Sequence, residues 1–363
     1  MRRAAGRWFW LIPAVLCAVC LWLGAVYAER LTGIGIYTQM ALDTPMNFWQ
    51  VRERLQSEAD EEEPLTMVFW RQEEDCSIHA RDLGRSAEAD VLTAAGQTGI
   101  LFQENSVLAQ EDANGCLLSR DVAQNLFGSD NVLGDEVTIN GEKYEIRGVL
   151  KSEEGLAVVR DRAGIGANTI LGQENQGKGF DRVKVKNQGE KGAKEMKNLL
   201  ETRCGVEGTV LDLPLLGGIC GMSVWILPLI MCLQFLVWLL KNARNAKKPG
   251  EKCLWWGIAA MFTVLVLYLA AGQISIPKDI IPSRWSDFSF FSNLADEKTR
   301  AFSFFMNSQK TAPEVMYYNA FFQSLLFVGL SVGMYLLALL GRSVVRGEAL
   351  EHDRKLLSDN PGD

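Results

Sequence analysis

Four stretches of this chain contain no Asp, Glu, Lys or Arg, and each is long enough to cross a lipid bilayer: residues 8–28, 215–240, 254–272 and 318–340. A helix rises about 1.5 Å per residue, so about 20 apolar residues cover the hydrocarbon core. A cleaved signal peptide is the competing reading of the first stretch, since residues 26–28 would pass as a cleavage site. Its apolar part runs beyond the about 7–15 residues of a signal peptide, which favours an uncleaved helix. Pro228 interrupts the second stretch. Prolines are tolerated in membrane helices because neighbouring groups re-satisfy the freed carbonyl. Four soluble core helices without one charge is the poorer explanation.

Average composition hides this segregation: 48% apolar and 22% charged is ordinary for a globular protein. The charges crowd between the apolar stretches. Residues 29–213 carry 33 acidic and 20 basic side chains, a balance of −13 against −7 for the whole chain. Such an acidic segment has no basic face for counterion release, so nucleic acid is not an expected partner. The ends of the apolar stretches are basic instead. Arg2, Arg3 and Arg7 precede the first, Lys241, Arg244, Lys247, Lys248 and Lys252 lie between the second and third, and Arg342 and Arg346 follow the fourth. Basic residues flanking spans stay cytoplasmic. With four spans all three basic segments share one side, which puts residues 1–7, 241–253 and 341–363 in the cytoplasm. Residues 29–214 and 273–317 then lie outside. Trp8, Trp10, Trp255, Trp256, Tyr317 and Tyr318 fall at span ends, where aromatic residues sit at headgroup depth. Membrane lipid is the one partner the sequence specifies directly.

Within 29–214, residues 29–57 are expected to extend the first helix, interrupted at Gly33 and Gly35, and the acidic run 58–63 to be a solvated linker or helix end. A strand is expected over 64–70, from its β-branched and aromatic residues after a proline. Residues 116–119 form a short strand ending at a capping Ser119, and residues 121–127 a helix that Gly128 stops. Residues 137–139 and 144–146 alternate around Asn140-Gly141, the strongest short hairpin signal, because both central residues need positive φ. A strand at 182–186 and a helix at 191–203 follow. The fold class expected is therefore a membrane protein with four transmembrane α-helices, one N-terminal and three C-terminal. A large mixed α+β extracytoplasmic domain separates the first from the second.

The run Ser119-Arg-Asp-Val-Ala-Gln-Asn-Leu-Phe-Gly128, then Asn131-Val-Leu-Gly134, then Val137-Thr-Ile-Asn-Gly-Glu-Lys-Tyr-Glu-Ile-Arg-Gly-Val149, resembles the periplasmic core domain of MacB-like proteins and, with the arrangement of spans, FtsX-like ABC permeases. The positions that carry the resemblance are Ser119, Ala123, Leu126, Phe127, Gly128, Asn131, Gly134, Gly141, Tyr144, Gly148 and Val149. They make a helix stop, a turn and a hairpin, not a catalytic set. The resemblance implies a permease subunit that pairs with a cytoplasmic ABC ATPase, acts as a homo- or heterodimer with another permease-like subunit, and moves its outer domain for export or mechanotransmission. One departure matters. The family carries a longer cytoplasmic segment with a coupling helix between the second and third spans, whereas only residues 241–252 fill that place here. The possible ATPase-facing loop thus reduces to Lys241, Arg244, Lys247, Lys248 and Lys252. A membrane-anchored extracytoplasmic binding or scaffold protein is the alternative.

Other chemistry finds little footing, and no enzyme activity and no cofactor are expected. Residues 172–179 approach a phosphate loop, but Gly179 stands where a magnesium-binding Ser or Thr is needed, and a strand follows instead of a helix. Residues 164–166 lack the third glycine of a dinucleotide loop. The two histidines, His79 and His352, are too few for the usual metal spacings. Cys76, Cys116 and Cys204 lie outside the spans, where a disulfide can persist; Cys76 with Cys116 is the pairing expected. Residues 276–291 are aromatic and amphipathic, and either cover the base of the outer domain or lie on the bilayer.

Overall fold

A computed structural model describes residues 2–102, 107–151, 155–161, 179–189, 192–273 and 289–358. The phosphate-loop near-match up to residue 178, the 164–166 turn and residues 276–288 lie outside that set. Two compact units emerge, one of residues 1–33, 215–275 and 319–363, the other of residues 34–214 and 276–318. In chain order the regular elements are α1 (Arg2–Ile34), β1 (Tyr37–Met46), α2 (Phe48–Ala59), β2 (Met67–Ala80), β3 (Arg85–Gly96), β4 (Gly115–Ser119), α3 (Arg120–Phe127), β5 (Glu136–Ile139), β6 (Glu142–Leu150), β7 (Leu156–Arg160), β8 (Phe180–Lys186), α4 (Ala193–Leu199), β9 (Gly208–Leu211), α5 (Leu213–Val224), α6 (Ile226–Asn245), α7 (Pro249–Gln273), α8 (Ser289–Asn307) and α9 (Ala312–Ser358).

The first unit is helical. Among the described residues four segments are long and apolar enough to cross a membrane: Pro13–Gly33, Leu213–Asn245, Pro249–Leu269 and Ala312–Leu339. Small residues let α1 and α9 approach closely. A Cβ added at Gly24 would stand 2.8 Å from Val328, Ser324 Oγ donates to the Gly24 carbonyl at 3.1 Å, and Cys17 Sγ donates to the Ser331 carbonyl. Serine hydroxyls that bond across helices are a common adhesive in membranes. Aromatic edges join α6 to α7, with Phe235 against Phe262 and Trp238 against Trp255. The break between α5 and α6 falls at Trp225. Pro228 explains it: the ring lacks an N–H and clashes with the carbonyl four residues back, at Val224.

The second unit is built on a nine-stranded sheet in the order β3-β7-β4-β6-β5-β2-β8-β1-β9, and β3 also pairs with β2. The six strands from β3 to β2 therefore close on themselves, and β8, β1 and β9 extend from β2. One strand serves both parts because of a bulge. The β2–β3 register shifts between Glu73 and Cys76, where Asp75 takes φ 52°. Asp tolerates that left-handed conformation, and Asp90 accepts its amide at 3.1 Å. Below the bulge Met67–Trp70 pair with β8; above it Ile78 and His79 pair with β5. Inside the closed part, Ile78, Val91, Leu118, Val137, Ile146 and Val159 form one apolar cluster, and Val122, Ala123 and Leu126 of α3 plug it.

The expected hairpin is present as β5–β6, with Asn140 at φ 51° and Gly141 at φ 86°, the pair of positive angles that a two-residue turn of matching twist demands. Gly128 ends α3 in the left-handed conformation, its amide on the Gln124 carbonyl. Two expectations are corrected. Residues 29–57 are not one helical extension: α1 stops at Ile34, β1 follows, and α2 is separate. The glycines break the helix, and Thr38, Gln39 and Met40, which fit a helix surface as well as a strand, are buried between β8 and β9. Ser119 stands at the N-cap of α3 but makes no capping bond; its Oγ instead accepts the Leu156 amide, tying α3 to β7.

Candidate functional site

Adjacent strands β2, β8 and β1 present two different faces. Cross-strand partners share a face, and residues two apart along a strand share it too. Gln39 and Val68 both stand opposite Lys184, and Ala41 and Trp70 opposite Arg182. One face therefore carries Gln39, Val68, Trp70, Gln72, Glu74, Arg182 and Lys184. The other carries Met40, Met67, Phe69, Val183 and Val185, and it is sealed by Val51 of α2 and Met196 of α4.

Polar side chains in mid-sheet would normally meet water. Here Gln39, Trp70, Arg182 and Lys184 are buried because residues 309–317 lie across them. Trp70 Nε1 donates to Thr311 Oγ1 at 3.3 Å. Gln72 accepts the Ala312 amide at 2.7 Å. Gln309 donates to Glu74 at 2.6 Å, and Arg182 donates to the Gln309 carbonyl. At the centre is Glu314, 4% exposed. Its Oε1 accepts from Arg182 Nε at 3.0 Å and from Gln39 Nε2 at 2.7 Å. Its Oε2 accepts the Thr311 amide at 2.8 Å, which is half of a capping box. A carboxylate also suits the positive end of a helix. Six sheet side chains thus hold one nine-residue segment; we call this arrangement the dock.

Lys184 is its least ordinary member. The ammonium donates to Tyr317 Oη at 2.7 Å and to the Leu101 carbonyl at 3.3 Å, and it lies 4.7 Å from the centroid of the Tyr37 ring. Burial lowers its pKa from 10.5 to about 7, since removing a charge from water disfavours the charged form. Tyr317 was expected at the membrane interface; the structure buries it here at 0% exposure.

The sequence-predicted positions fall elsewhere. Ala123, Leu126 and Tyr144 lie in the α3 cluster, with Phe127 and Val149 packed against it. Gly134 and Gly141 take positive φ, and Gly148 of β6 pairs with Leu117 of β4. Asn131 is exposed, its amide on Ser129 Oγ. Cys76 and Cys116 pack into the same cluster but as thiols, not as a disulfide. Lys241, Arg244, Lys247, Lys248 and Lys252 are all exposed, with Lys248 3.7 Å from Glu251. Ser77 Oγ and His79 Nε2 are 3.1 Å apart on exposed β2. Among the described residues no cluster could hold a metal ion.

Residues 76–188 match the profile of the MacB-like periplasmic core domain. Over that segment the chain is similar to MacB-like periplasmic core domains. The match begins at the β2 bulge and ends just beyond β8, so it holds the whole motif read from the sequence together with Arg182 and Lys184. The solved structures that overlap with the chain include the following two. The periplasmic region of MacB from Actinobacillus actinomycetemcomitans is 12% identical, covers 49% of this chain and 88% of its own, and gives a TM-score of 0.36. The extracellular domain of the noncanonic ABC-type transporter YknZ from Gram-positive bacteria is 14% identical, covers 48% and 96%, and gives 0.33. At those scores the overlaps add no weight to the profile match. No curated protein matches the chain. The MacB-like domain and the four apolar helices around it make this a multi-pass membrane protein with an extracytoplasmic segment.

Proposed function

We propose that the chain is the permease-like membrane subunit of a MacB/FtsX-type ABC system, in which a cytoplasmic ATPase drives movement of the extracytoplasmic domain for export or mechanotransmission. The observation that carries this reading is the MacB-like domain inserted between the first apolar helix and the other three. Both termini and residues 241–253 are cytoplasmic in this reading, as their basic residues dictate. The dock supplies a handle: α9 begins within it at Ala312 and runs on as the fourth apolar segment. A second permease-like chain, identical or related, completes the assembly.

Purification from native membranes in mild detergent, with partners identified by mass spectrometry, tests this. Recovery of a stoichiometric ABC ATPase is the expected result. A second reading is favoured by one observation: α6 ends at Asn245 and α7 begins at Pro249, leaving no separate coupling helix between them. Recovery without an ATPase, even after crosslinking, would discard the permease reading and leave an anchored binding or scaffold protein. Topology has its own probe in the exposed Cys253, which a membrane-impermeant maleimide should label only after the membrane is opened.

A further inference from the structure

The dock gathers polar bonds from one contiguous segment, and one of its members is a fully buried lysine. We propose that segment 309–317 is a releasable latch whose seating and release are coupled to protonation of Lys184. This rests on reading the sheet as the moving extracytoplasmic part of the chain, not on the identity of any ATPase.

Geometry makes the coupling specific. Lys184 Nζ is covered by Tyr317, which belongs to the segment, and by Tyr37 and the Leu101 carbonyl, which do not. Lifting the segment therefore removes the Tyr317 side of that cover and opens the amine to water from there. The titratable groups on the elements packed around it are Tyr37 on β1, Arg182 on β8, and Glu314 and Tyr317 on α9; β2 presents Val68 and Trp70, which do not titrate. Glu314 is already committed to Arg182 and Gln39. Among the described residues no carboxylate bonds to Lys184.

The direction follows from linkage. Seated, Lys184 titrates near 7; released into water it returns toward 10.5. Between those values the released form holds one more proton, so seating strengthens with rising pH, about tenfold per pH unit. Below 7 both forms are charged and seating no longer changes with pH. An extracytoplasmic domain meets the pH of its surroundings directly, which makes this a switch that acts without a ligand.

Hydrogen–deuterium exchange on the full chain in detergent reads the latch. The opening constant of amides in 312–318, corrected for the intrinsic chemical rate, should fall about 50-fold from pH 7 to pH 9 and stay nearly level between pH 5.5 and 6.5. In Lys184→Met the slope should vanish, while Glu314→Gln should raise opening at every pH and keep the slope. Amides of β4 serve as the folding reference. A wild-type opening constant that does not change between pH 7 and 9 overturns the proposal, as does an unaltered slope in Lys184→Met. Should that variant lose β4 protection, reductive methylation of the wild-type chain replaces it. Lys184 should then label at pH 9 at least about 100-fold more slowly than exposed Lys143, and equal labelling overturns the latch. Because no outcome involves ATPase recovery, the latch and the permease reading fail independently.

Discussion

Two faces of the same three strands are closed in opposite ways. The face of Met40, Phe69 and Val183 is sealed by α2 and α4, through side chains with no direction to satisfy. Apolar contacts of that kind are non-directional and scale with area. The face of Gln39, Arg182 and Lys184 is sealed by residues 309–317 through hydrogen bonds that must all be made together. A buried polar group left unpaired costs about 1–3 kcal/mol, and an unpaired buried charge costs more. The apolar seal should therefore yield gradually. The polar one should hold or let go as a unit, which is the behaviour a moving joint needs.

The largest expected effect is on the apolar face. Phe69 is fully buried, and Phe69→Ala should destabilise the whole sheet domain by about 3–5 kcal/mol. Chemical denaturation followed by β4 protection checks it; a loss confined to residues 309–317 would contradict the division of labour. Next comes the dock. Glu314→Ala removes the buried one of the two carboxylates on Arg182, leaving only the half-exposed Asp181, and should cost about 3 kcal/mol. That loss should appear as exposure of 309–317 while the β4 amides stay protected. Smaller still, Tyr317→Phe removes one of the two acceptors of Lys184 and should cost about 1–2 kcal/mol by the same local readout. Arg120 and Asp130 pair at 2.9 Å on the exposed surface, and Arg120→Ala should shift stability by under about 1 kcal/mol. A larger shift there would mean that exposed charges matter as much as the dock.

Much of the architecture is legible without coordinates. The four apolar helices follow from the absence of charge, the β5–β6 hairpin from Asn140-Gly141, and the end of α3 from Gly128. These are local statements: bilayer thickness, a positive φ and a missing Cβ act on a few consecutive residues. β1 was not legible, because its polar Thr38 and Gln39 fit a helix surface equally well. Ser119 does stand at the N-cap of α3, but its hydroxyl makes no capping bond because it had a second suitor, the Leu156 amide, which only the β4–β7 pairing brings near.

The dock was not legible either, for the same physical reason at longer range. Arg182 and Lys184 alternate with Val183 and Val185 in β8, and alternation says that one strand face is polar. It does not say whether water or protein meets that face. Nothing in the Thr-Ala-Pro-Glu sequence at 311–314 announced that Glu314 would bind a strand 132 residues earlier. By itself the sequence determined that this chain crosses a membrane and carries a MacB-like hairpin and helix between its first two apolar helices. Only the tertiary structure decided which polar groups are removed from water, because burial is set by whatever segment happens to lie across a face, and that pairing has no local signature.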